Sequence, residues 1–342
     1  MVSVQPVGLR ADDGMIQEQE QQEMKYAIAI HGGAGSSPEN YSPEANESRR
    51  QSMERALEIG TEVLKNGGSA LDAVEQVVVF LEDDPQFNAG RGAVFNEHGS
   101  HELDASIMDG ATKDVGAVAG VSRVRNPIQL ARRVMTESRH VMLGGVGAEN
   151  FASRQGLIMV QPNYFDTPAT LQRWMQSRQR MNGQSNNEIE LKIEDTGSYY
   201  GTVGCVALDS AGNLAAATST GGMSNKSYGR IGDSPITGAG NYADNATCAV
   251  SGTGIGEQYI RHTVCYDIAA QMQYGGKSLA EAVADNLANR LDPGDGGVIA
   301  VDRDGNIVME FSTGGMARAA ADSSGRFEVL WEEQPAGAAE GG

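Results

Sequence analysis

The four residues Gly201-Thr202-Val203-Gly204 directly follow a long polar segment, and they include a threonine that can act as a nucleophile. A threonine hydroxyl becomes a good nucleophile only when a base accepts its proton. Cleavage of the Gly201–Thr202 bond would create such a base, because the new α-amino group of Thr202 has a reference pKa of about 8. The alternative is an ordinary strand that begins after a loop, since threonine is common in strands.

The polar segment before Thr202 is long for a connection inside a compact domain. Residues 167–198 are rich in Gln, Arg, Asn, Ser and Glu and contain few apolar side chains. A solvated linker of roughly thirty residues needs a reason, and a segment that leaves the site after cleavage provides one. We therefore expect one domain made of an α subunit (residues 25–201, with a mobile linker over residues 165–201) and a β subunit (residues 202–342). Residues 1–24 are expected to form a disordered arm.

A second motif, Gly229-Arg230-Ile-Gly232-Asp233-Ser-Pro235, places a guanidinium and a carboxylate three residues apart in a glycine-rich loop. Together they can bind a zwitterion. Arg230 would take an α-carboxylate as a bidentate fork, and Asp233 would take an α-ammonium group. The alternative is a surface salt bridge, which is common and contributes little to stability.

The third motif, Ser251-Gly-Thr253-Gly254-Ile-Gly256, leads from a predicted strand into a predicted helix. Backbone N–H groups at such a junction, together with a threonine hydroxyl, can stabilise an oxyanion. Residues 252–256 can instead be compared with a loop that holds a nucleotide phosphate. Their glycine spacing departs from the dinucleotide fingerprint, and no strand ending in an acidic residue follows at the expected distance.

Two further groups of residues carry weaker signals. His31-Gly-Gly-Ala-Gly35 could form an esterase oxyanion loop, but the sequence contains no matching G-x-S-x-G nucleophile motif. His98 and His101, beside Glu97 and Glu102, could bind a metal ion, but a solvated polar turn is the simpler interpretation.

Composition restricts the classes of partner. The formal net charge of −19 argues against a nucleic-acid or anionic-membrane surface. Three cysteines are no disulfide framework, so we expect a cytoplasmic protein in a reducing compartment. No apolar run reaches membrane length, and residues 1–24 contain no apolar core of a signal peptide.

The elements that must position these motifs alternate between short strands and amphipathic helices. Helices are predicted at residues 48–65, after Ser69, and at residues 126–135, 256–274 and 278–291. Strands are predicted at residues 26–30, 103–108 and 115–121. Two similar hairpins are predicted in stacked or adjoining sheets, one from residues 202–208 and 214–218 and the other from residues 298–301 and 307–311. This order favours layered sheets with helices outside.

Taken together, these motifs resemble those of the plant-type L-asparaginase and isoaspartyl peptidase family of N-terminal-nucleophile hydrolases. The resemblance runs from about Tyr26 to Leu330 and leaves out the linker. Agreement of this kind, in this order, is implausible by chance. The matching blocks are His31-Gly-Gly-Ala-Gly35, Phe87-Asn-Ala-Gly90, Glu102-Leu-Asp-Ala105, Gly201-Thr-Val-Gly204, Thr218-Ser-Thr-Gly-Gly222, Gly229-Arg-Ile-Gly-Asp-Ser-Pro235 and Thr253-Gly-Ile-Gly256.

The resemblance implies an α+β fold, a four-layer αββα sandwich of the N-terminal-nucleophile hydrolase type. Gly201–Thr202 would be the cleavage site and Thr202 the nucleophile. Thr220 would orient the nucleophile, and Thr253 with Gly254 would form the oxyanion hole. The implied substrate-binding residues are Arg230, Asp233, Gly254, Gly256 and Asn88, the last of these near the scissile bond.

The resemblance also implies a structural sodium ion held by backbone carbonyls, and no cofactor for catalysis. The implied sodium-binding residues are Leu81, Glu82, Asp84, Phe87, Ala89 and Arg91. Arg91 departs from the family's pattern. Its cationic side chain matters little if only carbonyls bind the ion, but a cation close by would weaken the ion's hold.

The implied activity is that of an autoprocessed isoaspartyl peptidase and L-asparaginase, which hydrolyses β-aspartyl dipeptides and L-asparagine and pairs as an (αβ)₂ homodimer. Glycosylasparaginases of the same family usually carry Asp before the nucleophile and Thr-Ser-Thr-Asn-Gly after it. This chain has Gly201 and Thr218-Ser-Thr-Gly-Gly222, which favours the isoaspartyl peptidase branch. A glycosylasparaginase-type amidase remains an alternative. So does a nucleotide-binding protein that uses Gly252–Gly256 and in which Thr202 is inert.

Overall fold

The computed structural model describes Met1 and residues 25–35, 37–183 and 201–331. Almost all of the predicted N-terminal arm (residues 2–24) and the second half of the predicted linker (residues 184–200) lie outside the described residues. In the described part of the chain, no helix is long and apolar enough to cross a membrane.

The described residues form two β-sheets. In chain order the strands are β1 (Ala27–Gly35), β2 (Leu103–Asp109), β3 (Val115–Val121), β4 (Met142–Gly144), β5 (Val203–Leu208), β6 (Leu214–Thr220), β7 (Asn241–Ala243), β8 (Cys248–Gly254), β9 (Gly296–Asp302), β10 (Ile307–Phe311), β11 (Gly315–Asp322) and β12 (Phe327–Leu330). The larger sheet has the order β12-β11-β1-β5-β6-β2-β3-β4, and the smaller sheet has the order β10-β9-β8-β7. Neighbouring strands are antiparallel, except that β3 and β4 are parallel.

Helices cover the outer face of each sheet. They are α1 (Pro43–Lys65), α2 (Ala70–Asp83), α3 (Pro127–Glu137), α4 (Gly145–Arg154), α5 (Pro168–Gly183), α6 (Gly256–His262), α7 (Val264–Gly275) and α8 (Leu279–Asn289). Serine side chains mark three helix starts. Ser42 and Ser69 accept hydrogen bonds from Ala45 N and Asp72 N, and Ser278 forms a capping box with Glu281. The cap at Ser42 explains why α1 begins five residues earlier than its periodicity predicts.

Side chains alternate between two apolar layers along each central strand. In β1, Ile28 and Ile30 pack under α1 and α2, whereas Ala27 and Ala29 face the smaller sheet. A third apolar cluster, which includes Ile268 on α7, fills the space between the smaller sheet and its helices. Both faces of both sheets are therefore buried, and the predicted α+β fold, a four-layer αββα sandwich, is confirmed.

The two predicted hairpins are confirmed, with one in each sheet. Asp209 Oδ1 accepts bonds from the N–H groups of Ala211 and Asn213 in the turn between β5 and β6. Asp302 repeats this arrangement between β9 and β10. The same Asx-type turn chemistry therefore fixes the same hairpin geometry in both sheets.

The single helix predicted over residues 256–274 is wrong, because the chain forms two helices separated at Thr263. Thr263 has a φ of 51°, in the left-handed region that a threonine seldom adopts. This break lets Tyr266 N donate to Gly238 O at 2.8 Å. The apolar period continues across the break, so periodicity alone does not reveal it.

The predicted linker needs a correction, since its first half contains α5. Pro168 stands at the start of this helix, and Thr167 Oγ1 accepts a bond from Thr170 N. Trp174 packs against Phe95 and donates from Nε1 to Asn96 O at 3.0 Å. A helix that packs through so few side chains has a mostly polar sequence, and such a sequence is easily taken for a linker.

Candidate active site

Thr202 immediately precedes β5, which lies between β1 and β6 in the middle of the larger sheet. Its side chain is buried, and its Oγ1 donates a hydrogen bond to Thr220 Oγ1 at 3.1 Å. Thr220 is the last residue of β6, and Val203 pairs with Ser219 in the ladder. The two threonines therefore meet because they end two paired strands on the same side.

Thr220 is hydrogen-bonded on both sides of its hydroxyl. Its Oγ1 accepts from Gly222 N at 2.9 Å and donates to Gly201 O at 3.5 Å. One side chain thus accepts a hydrogen bond from Thr202 and donates one to the Gly201 carbonyl. Attack by Thr202 on that carbonyl needs this combination.

The His31-Gly-Gly-Ala-Gly35 segment of β1 lies against the Gly201–Thr202 bond. Gly33 has a φ of 109°, and a Cβ atom there would lie 2.7 Å from Gly201 Cα. His31 Nδ1 donates to Thr202 O at 2.9 Å. Sequence reasoning used this segment only as a family motif and as a candidate esterase loop. It missed the contact with Thr202, and the only signal was a glycine pair at the end of a buried strand.

The third motif reaches the same site from the smaller sheet. Gly254, at the end of β8, lines a small cavity together with Gly201, Thr202 and Thr220. Thr253 is fully buried, and its Oγ1 accepts from Ala34 N at 3.2 Å, so the hydroxyl proton remains available to another acceptor. The role of Thr253 and Gly254 as an oxyanion hole stays a prediction.

Arg230 and Asp233 line this cavity too. Asp233 is buried, which raises its pKa to about 7, and its Oδ2 atom has no hydrogen-bond partner in the part of the chain that is described. Arg230 donates from Nε and Nη2 to the two carboxylate oxygens of Glu257, at 2.9 Å and 2.8 Å. Sequence reasoning missed Glu257, which follows Gly256 at the start of α6.

Gly256 makes room for this charged group. A Cβ atom at Gly256 would lie 2.8 Å from Arg230 Nη2 and 2.8 Å from Asp233 Oδ1. The absence of a side chain therefore lets the helix start approach the Arg230–Asp233 pair closely. The backbone contact with substrate that the resemblance implies for Gly256 stays a prediction.

Asn88 holds the loop after β6 in place. Its Nδ2 donates to Gly222 O at 2.8 Å, and its Oδ1 accepts from Val94 N at 2.9 Å. Because Gly222 N in turn donates to Thr220 Oγ1, Asn88 supports the position of Thr220 through this loop. The contact between Asn88 and substrate that the resemblance implies stays a prediction.

The predicted sodium-binding residues span the end of α2 and the segment after it, and two glycines of this segment closely approach backbone carbonyl oxygens. A Cβ atom at Gly90 would lie 2.3 Å from Glu82 O, and one at Gly92 would lie 2.1 Å from Phe87 O. These close approaches gather backbone carbonyls, as a carbonyl-lined ion site requires. The Arg91 side chain is exposed, with its guanidinium 6.0 Å from the centre of the Tyr164 ring. Sodium binding by Leu81, Glu82, Asp84, Phe87, Ala89 and Arg91 stays a prediction.

The two rival sites lack the geometry that they need. Gly252 and Gly254 lie within β8, which is antiparallel to both of its neighbours, so this segment does not belong to the parallel βαβ unit of a dinucleotide site. His101 is buried and contacts Val94 O and Asp166, whereas the His98 side chain is exposed. Across the described ranges, no group of three or more His, Cys, Asp or Glu side chains is arranged to hold a metal ion.

Comparisons with known proteins cover both sides of the Gly201–Thr202 bond. Residues 24–331 match the family model described as asparaginase (Asparaginase_2). The isoaspartyl peptidase of Salmonella typhimurium is 50% identical over 298 residues, which cover 86% of this chain and 95% of that protein. The isoaspartyl peptidase of Escherichia coli is 49% identical over 298 residues, covering 86% and 92%. The probable isoaspartyl peptidase/L-asparaginase 2 of Arabidopsis thaliana is 43% identical over 324 residues, covering 90% and 99%.

The close approach of Gly256 predicts that Gly256→Ala weakens the binding of α-amino acid zwitterions. The added methyl group would displace Arg230 or Asp233, and we expect the affinity for L-aspartate to fall on the order of tenfold or more. Isothermal titration with L-aspartate measures this. Gly147→Ala on α4 is the matched control, because a methyl group there meets nothing within 4 Å. Wild-type affinity in Gly256→Ala would show that the pair tolerates the displacement.

Proposed function

This chain belongs to the asparaginase family, and we propose that it is an isoaspartyl peptidase and L-asparaginase that cleaves itself before Thr202. The observation that carries the proposal is the cavity in which the Thr202 hydroxyl and the Arg230–Asp233 pair face the same space. A nucleophile and a holder of both α-groups of an amino acid, placed together, fit the hydrolysis of an aspartyl β-amide.

In the uncut chain, the Thr202 hydroxyl attacks the carbonyl carbon of Gly201. Thr220 relays the proton: as its Oγ1 receives the proton of Thr202 Oγ1, it passes its own proton to Gly201 O, in line with its bonds to these two atoms. The new C–O bond forms, the C–N bond breaks, and a proton passes to the departing amine, which leaves an ester between Gly201 and Thr202. Water then hydrolyses the ester, giving a Gly201 carboxylate and a free α-amino group on Thr202.

The cut enzyme uses the same hydroxyl on the substrate. Arg230 holds the α-carboxylate of an aspartyl unit and Asp233 holds its α-ammonium, so only the β-carbonyl is left to face Thr202. The Thr202 amine takes the hydroxyl proton and passes it to the leaving group, which is ammonia from L-asparagine or an amino acid from a β-aspartyl dipeptide. Thr253 and Gly254 N–H stabilise the oxyanion. Water then releases aspartate from the acyl-enzyme.

Glu257 sets a condition on substrate binding. It already occupies the Nε and Nη2 edge of Arg230. An incoming α-carboxylate must replace Glu257 at that edge or bind through Nη1. A bidentate pair between arginine and a carboxylate is among the stronger polar contacts. Displacing Glu257 from Arg230 therefore lowers the net affinity for substrate.

Three further features belong to the proposal. The three cysteines are buried and unbridged, which fits a cytoplasmic enzyme. Val141, Met142 and Val146 are exposed apolar residues close together in the sequence, which fits a contact surface of an (αβ)₂ homodimer. The segment from the end of α2 to Arg91 would hold a structural sodium ion through its backbone carbonyls.

Autocleavage predicts that the purified protein separates into chains of 201 and 141 residues, which intact mass spectrometry detects. Thr202→Ala should remain whole, since it has no nucleophile. Thr220→Ala should cleave about 10²-fold more slowly, because it loses the hydroxyl that relays the proton from Thr202 to the Gly201 carbonyl oxygen. The control is Thr61→Ala, which removes a buried hydroxyl that has no partner within the described residues. A wild-type chain that stays uncut while fully active would refute the mechanism.

The proposed activity predicts that the cut enzyme releases aspartate from both β-aspartyl-leucine and L-asparagine. A coupled assay for aspartate measures this, and EDTA or omission of nucleotides should leave the rates unchanged. Loss of activity in EDTA, or dependence on a nucleotide, would favour a different class of protein. Cleavage of N-acetylglucosaminyl-asparagine with none of β-aspartyl-leucine would place the chain with the glycosylasparaginase-type amidases.

The raised pKa of Asp233 predicts two proton-dependent losses on the acid side. Below about pH 7, Asp233 becomes neutral in the free enzyme and no longer attracts an α-ammonium group. The Thr202 amine, with a reference pKa near 8, is also protonated and cannot accept a proton. The logarithm of kcat/KM should therefore fall with a limiting slope of about two, whereas kcat, measured with substrate bound, should fall with a slope of about one. Equal slopes of one in both profiles would contradict the role of Asp233.

A further inference from the structure

A chain of buried polar side chains lies directly beneath the nucleophile. His31 Nδ1 contacts Thr202 O at 2.9 Å, and His31 Nε2 contacts Ser251 Oγ at 2.9 Å. Ser251 Oγ in turn contacts Thr218 Oγ1 at 2.7 Å. All three polar side chains are completely buried, and they come from both sheets. Uncompensated polar groups at such depth are costly, and each of these three side chains has hydrogen-bond partners.

The direction of each hydrogen bond follows from the chemistry of the groups. A backbone carbonyl oxygen can only accept, so His31 Nδ1 carries the proton that bonds Thr202 O. Burial lowers the pKa of His31 to about 3, although the bond to Thr202 opposes this, and the ring is therefore neutral near pH 7. A neutral ring with a proton on Nδ1 must accept at Nε2, so Ser251 donates to it. Thr218 then donates to Ser251.

Gly204 provides the space for this network. A Cβ atom at Gly204 would lie 2.1 Å from Ser251 Oγ and 2.3 Å from His31 Nε2. The contact between His31 and Ser251 therefore depends on a residue without a side chain two positions after the nucleophile. This gives a physical reason for the second glycine of Gly201-Thr202-Val203-Gly204.

Thr202 itself lies outside the β-ladder. The pairing of β5 with β6 begins at Val203, and the pairing of β5 with β1 ends at His31 opposite Gly204. Once the Gly201–Thr202 bond is cut, Thr202 becomes a chain terminus, and chain termini fray unless a contact holds them. In the described residues, its carbonyl is held by the His31 side chain rather than by a neighbouring strand.

We propose that His31 is a positioning residue, which anchors the carbonyl of Thr202 so that the hydroxyl and the amine of the new terminus keep their places. Ser251 and Thr218 fix the ring in the tautomer that this task needs. His31 touches neither the substrate nor the reacting atoms. The inference rests on the proposed function, because it assigns His31 a part in the same reaction.

The test compares His31→Asn with His31→Leu, two side chains of similar shape. Asn presents an N–H donor close to the place of Nδ1, whereas Leu presents none. His31→Leu should slow chain cleavage and lower the kcat of the cut enzyme about 10²-fold, with little change in KM, because Arg230 and Asp233 still hold the substrate. His31→Asn should keep both rates within about tenfold of wild type. Wild-type rates in His31→Leu, or equal losses in the two variants at equal thermal midpoints, would overturn the inference.

Nitrogen NMR of the wild-type protein provides a measurement that does not depend on a variant's folding. The chain has five histidines, so ¹⁵N-histidine labelling gives a simple spectrum, and His31→Asn assigns the signal. We expect a neutral ring with its proton on Nδ1 from about pH 5 to about pH 9. A proton on Nε2, or titration within this range, would overturn the inference. If the wild-type protein neither cleaves itself nor hydrolyses substrate, the proposed function is wrong. If the wild-type protein is active and His31→Leu is unaffected, only the positioning role of His31 is wrong.

Discussion

The hydrogen bond between the hydroxyls of Thr202 and Thr220 is the interaction on which the rest of the site depends. It requires two strands of one sheet to end side by side, and the β5–β6 hairpin produces that arrangement. Attack on the Gly201 carbonyl also requires this carbonyl to lie within reach of Thr220. Gly33 permits this because it leaves space beside the Gly201–Thr202 peptide bond. The αββα sandwich holds this contact in place, because β5 has a neighbouring strand on each edge and is covered by helices on one face and by the smaller sheet on the other.

Burial decides how strongly the charged residues act. Asp233 lies in a desolvated position with one carboxylate oxygen unpartnered, and Arg230 faces the same cavity. A carboxylate held in this way gains much from an ammonium partner, because little solvent competes for it. Glu257 forms an ion pair with the Arg230 guanidinium, so this partly buried charge has a partner. If the proposed function holds, a ligand that carries both charges fits this pair of residues.

The local parts of this site could be predicted from the sequence, and the non-local parts could not. Thr202 and the Arg230–Asp233 pair stand in short motifs whose residue types already suggest their chemistry. The bond between Arg230 and Glu257 joins residues 27 positions apart, and the bond between His31 and Ser251 joins residues 220 positions apart. No periodicity or spacing reports such contacts. The helix α5 was missed for a different reason, since its polar composition is typical of a solvated segment as well as of a helix that packs through few side chains.

The same distinction holds for the fold. Short apolar runs on either side of turn signals predicted the two hairpins, because strands buried on both faces are apolar along nearly their whole length. The break at Thr263 depends on the left-handed conformation of one residue, and its neighbours keep a helical period on both sides. Glycines such as Gly33 and Gly256 were visible in the sequence, but the groups that they make room for come from distant elements.

Trapping the acyl-enzyme tests the central claim, that the Thr202 hydroxyl is the nucleophile, most directly. The cut enzyme would be quenched with acid during turnover of excess L-asparagine, and the peptides of its 141-residue chain would be mapped by mass spectrometry. We expect a peptide that begins at Thr202 and carries the mass of one aspartyl group as an ester on that residue. An aspartyl group attached to any other side chain, with Thr202 unmodified, would contradict it.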